Sequence, residues 1–69
     1  MTVHTGEVLR ITVYADRVLV DLAGPEIYRV QVACDDGQRL HLFKAPGKRA
    51  RVGDHILDID GVEFPILPF

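Results

Sequence analysis

The segment of residues 27–44 constrains the fold most, because apolar and polar residues alternate on both sides of a turn sequence. A period of two is typical of a β-strand that buries one face. The intervening Asp35-Asp36-Gly37 suits a three-residue hairpin loop with glycine in the left-handed conformation. This loop sets Val32 opposite Leu40, which keeps the apolar residues together. The predicted apolar face consists of Val30, Val32, Leu40 and Leu42.

The other face of this predicted hairpin carries cationic and aromatic side chains and continues into a basic loop at residues 44–51. Aromatic rings stack on bases and cations contact phosphates, so such a surface suits single-stranded DNA or RNA. We therefore predict a non-enzymatic nucleic-acid-binding surface. Its candidate residues are Arg29, Arg39, His41, Phe43, Lys44, Lys48, Arg49 and Arg51. The alternative is a solvated face on which Phe43 covers the end of a barrel.

Residues 7–22 contain two alternating runs that are out of phase with each other. The apolar residues fall on odd positions before Tyr14 and on even positions after Arg17. One long, bent strand with a bulge would fit this pattern, and so would two strands joined by a tight turn. The sequence leaves both interpretations open.

The last third of the chain predicts a second hairpin. Asp60-Gly61 is a strong two-residue turn signal, and the residues on either side of it alternate. Pairing Ile59 with Val62 places the apolar residues of this hairpin on one face. Residues 45–53 are rich in proline and glycine and predict a loop rather than a helix.

Five or six short strands, with no segment of helical apolar spacing, predict an all-β protein. A chain of 69 residues is expected to form one domain over residues 1–69. The expected fold is a closed or partly open antiparallel β-barrel of OB-fold-like or SH3-like type, without a substantial helix. Because so short a chain buries little apolar surface, a homo-oligomer such as a dimer is also expected.

At the level of strand pattern, the chain resembles the OB-fold, with a long first strand, a hairpin, a connection and a second hairpin. It is similar to single-stranded-DNA-binding barrels that lack the helix usual between the third and fourth strands. The resemblance implies that the second and third strands present the nucleic-acid surface. The segment Val52-Gly53-Asp54-His55-Ile56-Leu57 is also similar to a V-G-D-x-x-L segment of hydrogenase-maturation chaperones. Those proteins carry a working cysteine after the initiator methionine, where this chain has Thr2, so their function is not expected here.

The final residues form a second candidate site. Ile66-Leu67-Pro68-Phe69 follows several acids and resembles the acidic tail with a terminal Ile-Pro-Phe tip by which bacterial single-strand-binding proteins recruit partners. The resemblance implies that Pro68 and Phe69 bind a protein partner. Closure of the barrel or packing in a dimer is the alternative role. An assembly protein, such as an adaptor or a phage structural component, is therefore the alternative function.

Charge and residue types bear on several function classes. All eight basic residues precede residue 53, whereas residues 54–69 carry four acids and no base, a polarity that can mark a basic binding surface with an acidic tail. The single cysteine, Cys34, permits no internal disulfide and fits the apolar face of a protein in the reducing cytoplasm. The three histidines lack metal-ligand spacing, the chain has no serine, and Gly47-Lys48 lacks the rest of a phosphate loop. No enzyme activity, cofactor, metal, membrane span or signal peptide is therefore expected.

Overall fold

The computed structural model describes residues 4–33 and 35–68. These residues form six strands and one helix in chain order: β1 His4–Val13, β2 Val18–Leu22, β3 Tyr28–Val32, α1 Asp36–Phe43, β4 Arg49–Val52, β5 Ile56–Ile59 and β6 Val62–Pro65. The strands pair antiparallel in one sheet with the order β3-β2-β1-β4-β5-β6. The prediction of a mostly antiparallel β protein with five to six strands is confirmed. The predicted placement of Cys34 on the apolar face lies outside the described residues.

The two alternating runs of residues 7–22 form a hairpin. Val13 pairs with Val18, and the N–H of Tyr14 donates to the carbonyl of Arg17 across the turn at 2.8 Å. The register of β1 also shifts between Val8 and Arg10, which is a β-bulge in the strand. Both features that the sequence left open therefore occur, but the bulge lies within β1 and the turn lies after it.

Residues 35–44 are not the second half of a hairpin, because residues 36–43 form α1. The Oδ1 atom of Asp35 accepts from the N–H of Gln38 at 2.8 Å, and the Gln38 side chain accepts from the N–H of Asp35 at 3.4 Å. This reciprocal capping box satisfies N–H groups at the start of the helix and so stabilises it. Leu42 is buried, whereas Leu40 is 65% exposed. The predicted hairpin loop and the pairing of strand residues with Leu40 and Leu42 are therefore wrong, and one short helix stands where the sequence predicted a strand.

The predicted loop of residues 45–53 contains a strand, β4. Ala50 and Val52 are buried and alternate with Arg49 and Arg51, which are exposed. β4 forms because the first part of β1 extends beyond β2 and pairs with it, His4 lying opposite Val52. The prediction of a loop is correct only for the residues that flank this strand.

The second predicted hairpin is confirmed. β5 and β6 pair with Ile59 opposite Val62, as the alternation predicted. Asp60 and Gly61 both have positive φ, at 57° and 82°. This is the conformation that a two-residue turn between right-twisted strands requires.

The buried core lies on one side of the curled sheet and is completed by one residue of the helix. Its members are Val8, Val18, Val20, Leu22, Val30, Val32, Leu42, Ala45, Ala50, Val52, Leu57, Ile59 and Phe64. The edge strands β3 and β6 do not form a ladder with each other in the described part of the chain. They approach at an isolated bridge between Val32 and Ile66, beside which the N–H of Leu67 donates to the carbonyl of Gln31 at 2.8 Å. The sheet is therefore not closed, and the predicted closed barrel is not confirmed.

Across the two described ranges, α1 is too short to cross a membrane, and no other helix is present that could do so.

Candidate nucleic-acid interface

The predicted binding residues do not share one strand face, because the hairpin that was expected to carry them does not form. Arg29 lies on β3, whereas Arg39, His41 and Phe43 lie on α1. Lys44 caps the end of the helix. The remaining predicted residues are Lys48, which precedes β4, and Arg49 and Arg51, which lie on that strand.

The basic residues at positions 48–51 lie beside acids. The Nζ atom of Lys48 lies 2.8 Å from Oδ2 of Asp60, and this hydrogen bond lowers the pKa of Asp60. In the sheet register Arg49 is opposite Glu7, and Arg51 is opposite Asp58. The acids offset the positive potential that this segment would present to a phosphate.

The outer side of the first three strands has a different character. Val20 of β2 and Val30 of β3 face the core and pair with each other, so the residues that alternate with them face outward. We call this surface the meander face. At its paired positions it comprises Arg10 and Thr12 of β1, Leu19 and Asp21 of β2, and Arg29 and Gln31 of β3. The β1–β2 turn adds Tyr14 and Arg17, which line a hollow on this side, and it also carries the exposed acid Asp16.

One acid lies between two arginines at the centre of the meander face. Asp21 is the register partner of Arg10 on one side and of Arg29 on the other. The Nε atom of Arg29 donates to Oδ1 of Asp21 at 2.7 Å, and Nε of Arg10 lies 3.5 Å from Oδ2. The Asp21 side chain is only 4% exposed, whereas the side chains of Arg10 and Arg29 are 68% and 52% exposed. The carboxylate is thus covered by the two guanidinium groups, which themselves face solvent.

Charge pairing keeps Asp21 ionised. The hydrogen bond from Arg29 is the largest of the effects that hold the pKa of Asp21 below its usual range, and burial opposes it more weakly. The same hydrogen bond raises the pKa of Arg29. Asp21 and Arg29 are therefore both charged near neutral pH.

A shallow hollow of about 400 Å³ adjoins Arg29 on the meander face. It is lined by Tyr14, Arg17, Leu19, Arg29 and Gln31. The guanidinium carbon of Arg17 lies 5.6 Å from the centroid of the Tyr14 ring, a cation–π geometry that holds the two side chains together. The hollow combines two cationic groups, an exposed aromatic ring and one aliphatic side chain, that of Leu19.

The helix adds one arginine near this surface. Arg39 donates from an Nη atom to the carbonyl of Ala15 at 3.3 Å, which ties α1 to the β1–β2 turn. Its Nε atom is buried and has no hydrogen-bond partner among the described residues.

The other two predicted binding residues of α1 lie apart from this surface. His41 is half-buried, and its ring centroid lies 5.9 Å from that of Phe64, so it packs on the core rather than on an outer binding face. Phe43 is 57% exposed, as predicted for an accessible ring, but it lies on the helix.

The C-terminal segment lies against β3. The carbonyl of Pro68 accepts a hydrogen bond of 2.9 Å from the side chain of Gln31, one of the meander-face residues. Phe69 lies outside the described residues. The partner-binding role of Pro68 and Phe69 remains a prediction.

Another hollow, of about 350 Å³, lies where the β2–β3 connection passes the start of β1. The rings of His4 and Tyr28 stack in its wall with their centroids 4.2 Å apart. Its lining includes Glu26 but neither arginine nor lysine. It is therefore less suited to a phosphate ligand than the meander face.

Sequence reasoning found Arg29 but missed the residues that surround it, namely Arg10, Tyr14, Arg17 and Asp21. A usable signal was present, since a hairpin that turns between Val13 and Val18 sets Arg10 opposite Asp21 by counting outward from the turn. The sequence is also compatible with one bent strand over residues 7–22, so the row formed by Arg10, Asp21 and Arg29 could not be predicted from it.

Residues 4–33 and 35–68 contain no cluster of three or more histidine, cysteine, aspartate or glutamate side chains that could hold a metal ion.

No protein-family model matches the chain, and neither a curated protein nor a solved structure matches it significantly.

Proposed function

We propose that the protein binds single-stranded DNA or RNA through the meander face and performs no catalysis. The observation that carries this proposal is the segregation of charge. Arg17 and Arg29 line one hollow with the exposed Tyr14, and Arg10 lies across Asp21 from Arg29. Asp21, the one acid at the six paired outer positions, is buried beneath Arg10 and Arg29. The other basic segment, at residues 48–51, lies beside acids.

The chemistry of the face suits a nucleic-acid backbone. An arginine guanidinium presents a planar fork of donors that matches a phosphate, and it is more weakly hydrated than a lysine ammonium. The ring of Tyr14 offers a stacking surface that every base can use, which favours single strands whose bases are unpaired.

The fold adds support from the OB-fold resemblance. The meander face includes the outer sides of β2 and β3, the strands that carry nucleic acid in that family. The helix α1 lies between the third and fourth strands, where OB-folds usually have one. The bridge between Val32 and Ile66 supports the finer proposal that the sheet is a partly open barrel.

Binding to fluorescently labelled oligonucleotides of about 12 nucleotides, measured by anisotropy, tests the proposal. Three phosphate contacts on a single strand should give a slope of about −2 when the logarithm of the association constant is plotted against that of salt concentration, between about 50 and 200 mM. A duplex of the same sequence should bind more weakly, because its bases are not free to stack on Tyr14. Failure of the wild-type protein to bind any single strand at the lower salt concentration would refute the proposal.

A matched pair of double variants locates the interface. Arg17→Ala with Arg29→Ala removes two positive charges from the meander face, and Arg49→Ala with Arg51→Ala removes two from β4. Both change the net charge equally, so a general electrostatic attraction would weaken equally in the two. We expect a much larger loss of affinity for the first variant. An equal loss would show that the meander face is not the interface.

The second candidate function is a protein-interaction or assembly module, and one observation favours it. Leu40 and Phe43 are 65% and 57% exposed and lie three residues apart on one side of α1, where they line a small apolar hollow with Asp36 and Arg39. Removing that patch by Leu40→Ser with Phe43→Ser should lower the mass of any homo-oligomer measured by sedimentation equilibrium. An unchanged mass would argue against assembly through the helix.

A further inference from the structure

We propose that Asp21 is a positioning residue of the nucleic-acid interface, which holds Arg10 and Arg29 in the orientation in which they meet phosphates. This inference rests on the function proposed above. The inference gives an acidic residue a favourable role in binding a polyanion, although the negative charge of its carboxylate would by itself repel the phosphates.

The geometry that carries the inference is the cross-strand row of three residues. Asp21 lies on the middle strand, so the backbones of Arg10 and Arg29 are separated by two strand spacings, or about 10 Å, and their side chains converge on the carboxylate between them. Both arginines contact the carboxylate through Nε, at 3.5 and 2.7 Å. In the part of the chain that the structure describes, the Nη atoms of these two arginines make no hydrogen bond. The outer ends of both guanidinium groups are therefore available to a ligand.

The burial of Asp21 gives this arrangement its rigidity. A carboxylate that is 4% exposed requires charged or hydrogen-bonding partners, because an unpaired buried charge is strongly unfavourable. Arg29, which donates to this carboxylate at 2.7 Å, is consequently held near one side-chain conformation before any ligand arrives, and the longer ion contact at 3.5 Å draws Arg10 toward the same carboxylate. Ordering a long side chain at the moment of binding is costly in entropy, so arginines fixed in advance bind more tightly than free ones.

The competing interpretation is that Asp21 only joins the three strands. In that case its replacement by asparagine would lower stability, but at a temperature where the variant is folded it would leave the surface more positive by one charge. Affinity for nucleic acid would then rise. The two interpretations predict opposite signs for the change in affinity.

The experiment compares Asp21→Asn with Glu63→Gln, which removes the same charge from an exposed position on β6 opposite Asp58. Both are titrated with the 12-nucleotide probe at low salt and at a temperature where circular dichroism shows both folded. We expect Asp21→Asn to bind about fivefold more weakly than the wild type and Glu63→Gln to bind equally or more tightly. Binding by Asp21→Asn that equals or exceeds that of Glu63→Gln would overturn the inference. Absence of wild-type binding would instead overturn the proposed function.

Two further measurements cover the case in which Asp21→Asn does not fold. Arg29→Lys keeps the charge but loses the Nε donor and the planar fork, so it should bind several-fold more weakly, and wild-type affinity would overturn the inference. In the free wild-type protein, the ¹⁵N-resolved Nε–H signal of Arg29 should exchange slowly with water and be distinct from that of Arg49. A fast-exchanging Arg29 signal would show that the side chain is not held and would also overturn the inference.

Discussion

Substituting Gly6 by alanine should destabilise the protein through one identifiable contact. Gly6 is buried in the part of β1 that pairs with β4, opposite Ala50. A Cβ atom at this position would lie 2.4 Å from the carbonyl oxygen of Ala23. That carbonyl belongs to the backbone, and the N–H of the same residue donates to the carbonyl of Glu7 at 2.9 Å. The two segments therefore cannot separate without straining the sheet.

The size of the effect follows from that geometry. Ordinary contact begins near 3.4 Å, so the new atom and the oxygen must move about 1 Å apart. Overpacking of this kind costs about 1–3 kcal/mol. The alanine also restricts the unfolded chain, which returns about 0.4–1 kcal/mol. Taking the middle of both ranges, the net loss in the free energy of unfolding is about 1.3 kcal/mol, equivalent to a fall of about 5–10 °C in the melting temperature of so small a domain.

Thermal and urea unfolding followed by far-ultraviolet circular dichroism measures this loss. Gly53→Ala is the matched control, because a Cβ atom there meets only the carbonyl oxygen of Ile56 at 3.8 Å, an ordinary contact. The control should be as stable as the wild type or slightly more stable. Wild-type stability in Gly6→Ala, or an equal loss in both variants, would refute the argument from the Ala23 contact.

Three further predictions concern other parts of the fold. The fold lowers the pKa of Asp21, so its charge stabilises the protein above the unfolded pKa of about 3.9, and this contribution is lost as the pH falls through the lower folded pKa. In urea unfolding, the free energy of unfolding should fall more steeply with acidification for the wild type than for Asp21→Asn. Parallel pH profiles of the two proteins would contradict this prediction. Asp35→Ala removes the capping box, which should lower the free energy of unfolding by about 1 kcal/mol and speed amide hydrogen exchange in α1. Unchanged exchange in α1 would contradict this prediction. Phe64→Ala truncates the largest fully buried side chain and should lower the free energy of unfolding by about 3–5 kcal/mol. The total free energy of unfolding expected for a chain of this length is about 3–10 kcal/mol, so a thermal melt like that of the wild type in circular dichroism would contradict the prediction.

Local pairing explains which parts of the fold the sequence predicted. The β5–β6 hairpin was predicted with its register because its two strands are joined by a two-residue turn of recognisable composition. The helix was missed because Leu40 and Leu42 alternate as they would in a strand, and eight residues are too few for helical periodicity to stand out. The spacing of Asp35 and Gln38 was the signal that decides for the helix, since it allows a capping box.

The candidate site was harder to predict because it depends on pairing between distant segments. Arg29 becomes part of an arginine row only when β3 lies beside β2 and β2 beside β1. Arg49 and Arg51 become less suitable as phosphate contacts only because β4 lies between two strands that place Glu7 and Asp58 opposite them. Neither neighbour can be read from a run of adjacent residues, so charge along the sequence was a poor guide to charge on the surface.

The bridge between Val32 and Ile66 has a consequence during synthesis. Ile66 is added to the nascent chain well after β3, so until then β3 has β2 on one side and an uncovered backbone edge on the other. An exposed edge is a template on which another chain can pair. A ribosome that stalls, or a protease that cuts, between β3 and Ile66 would therefore leave a fragment prone to self-association, whereas in the longer chain residues 65–68 cover the end of that edge at Gln31 and Val32.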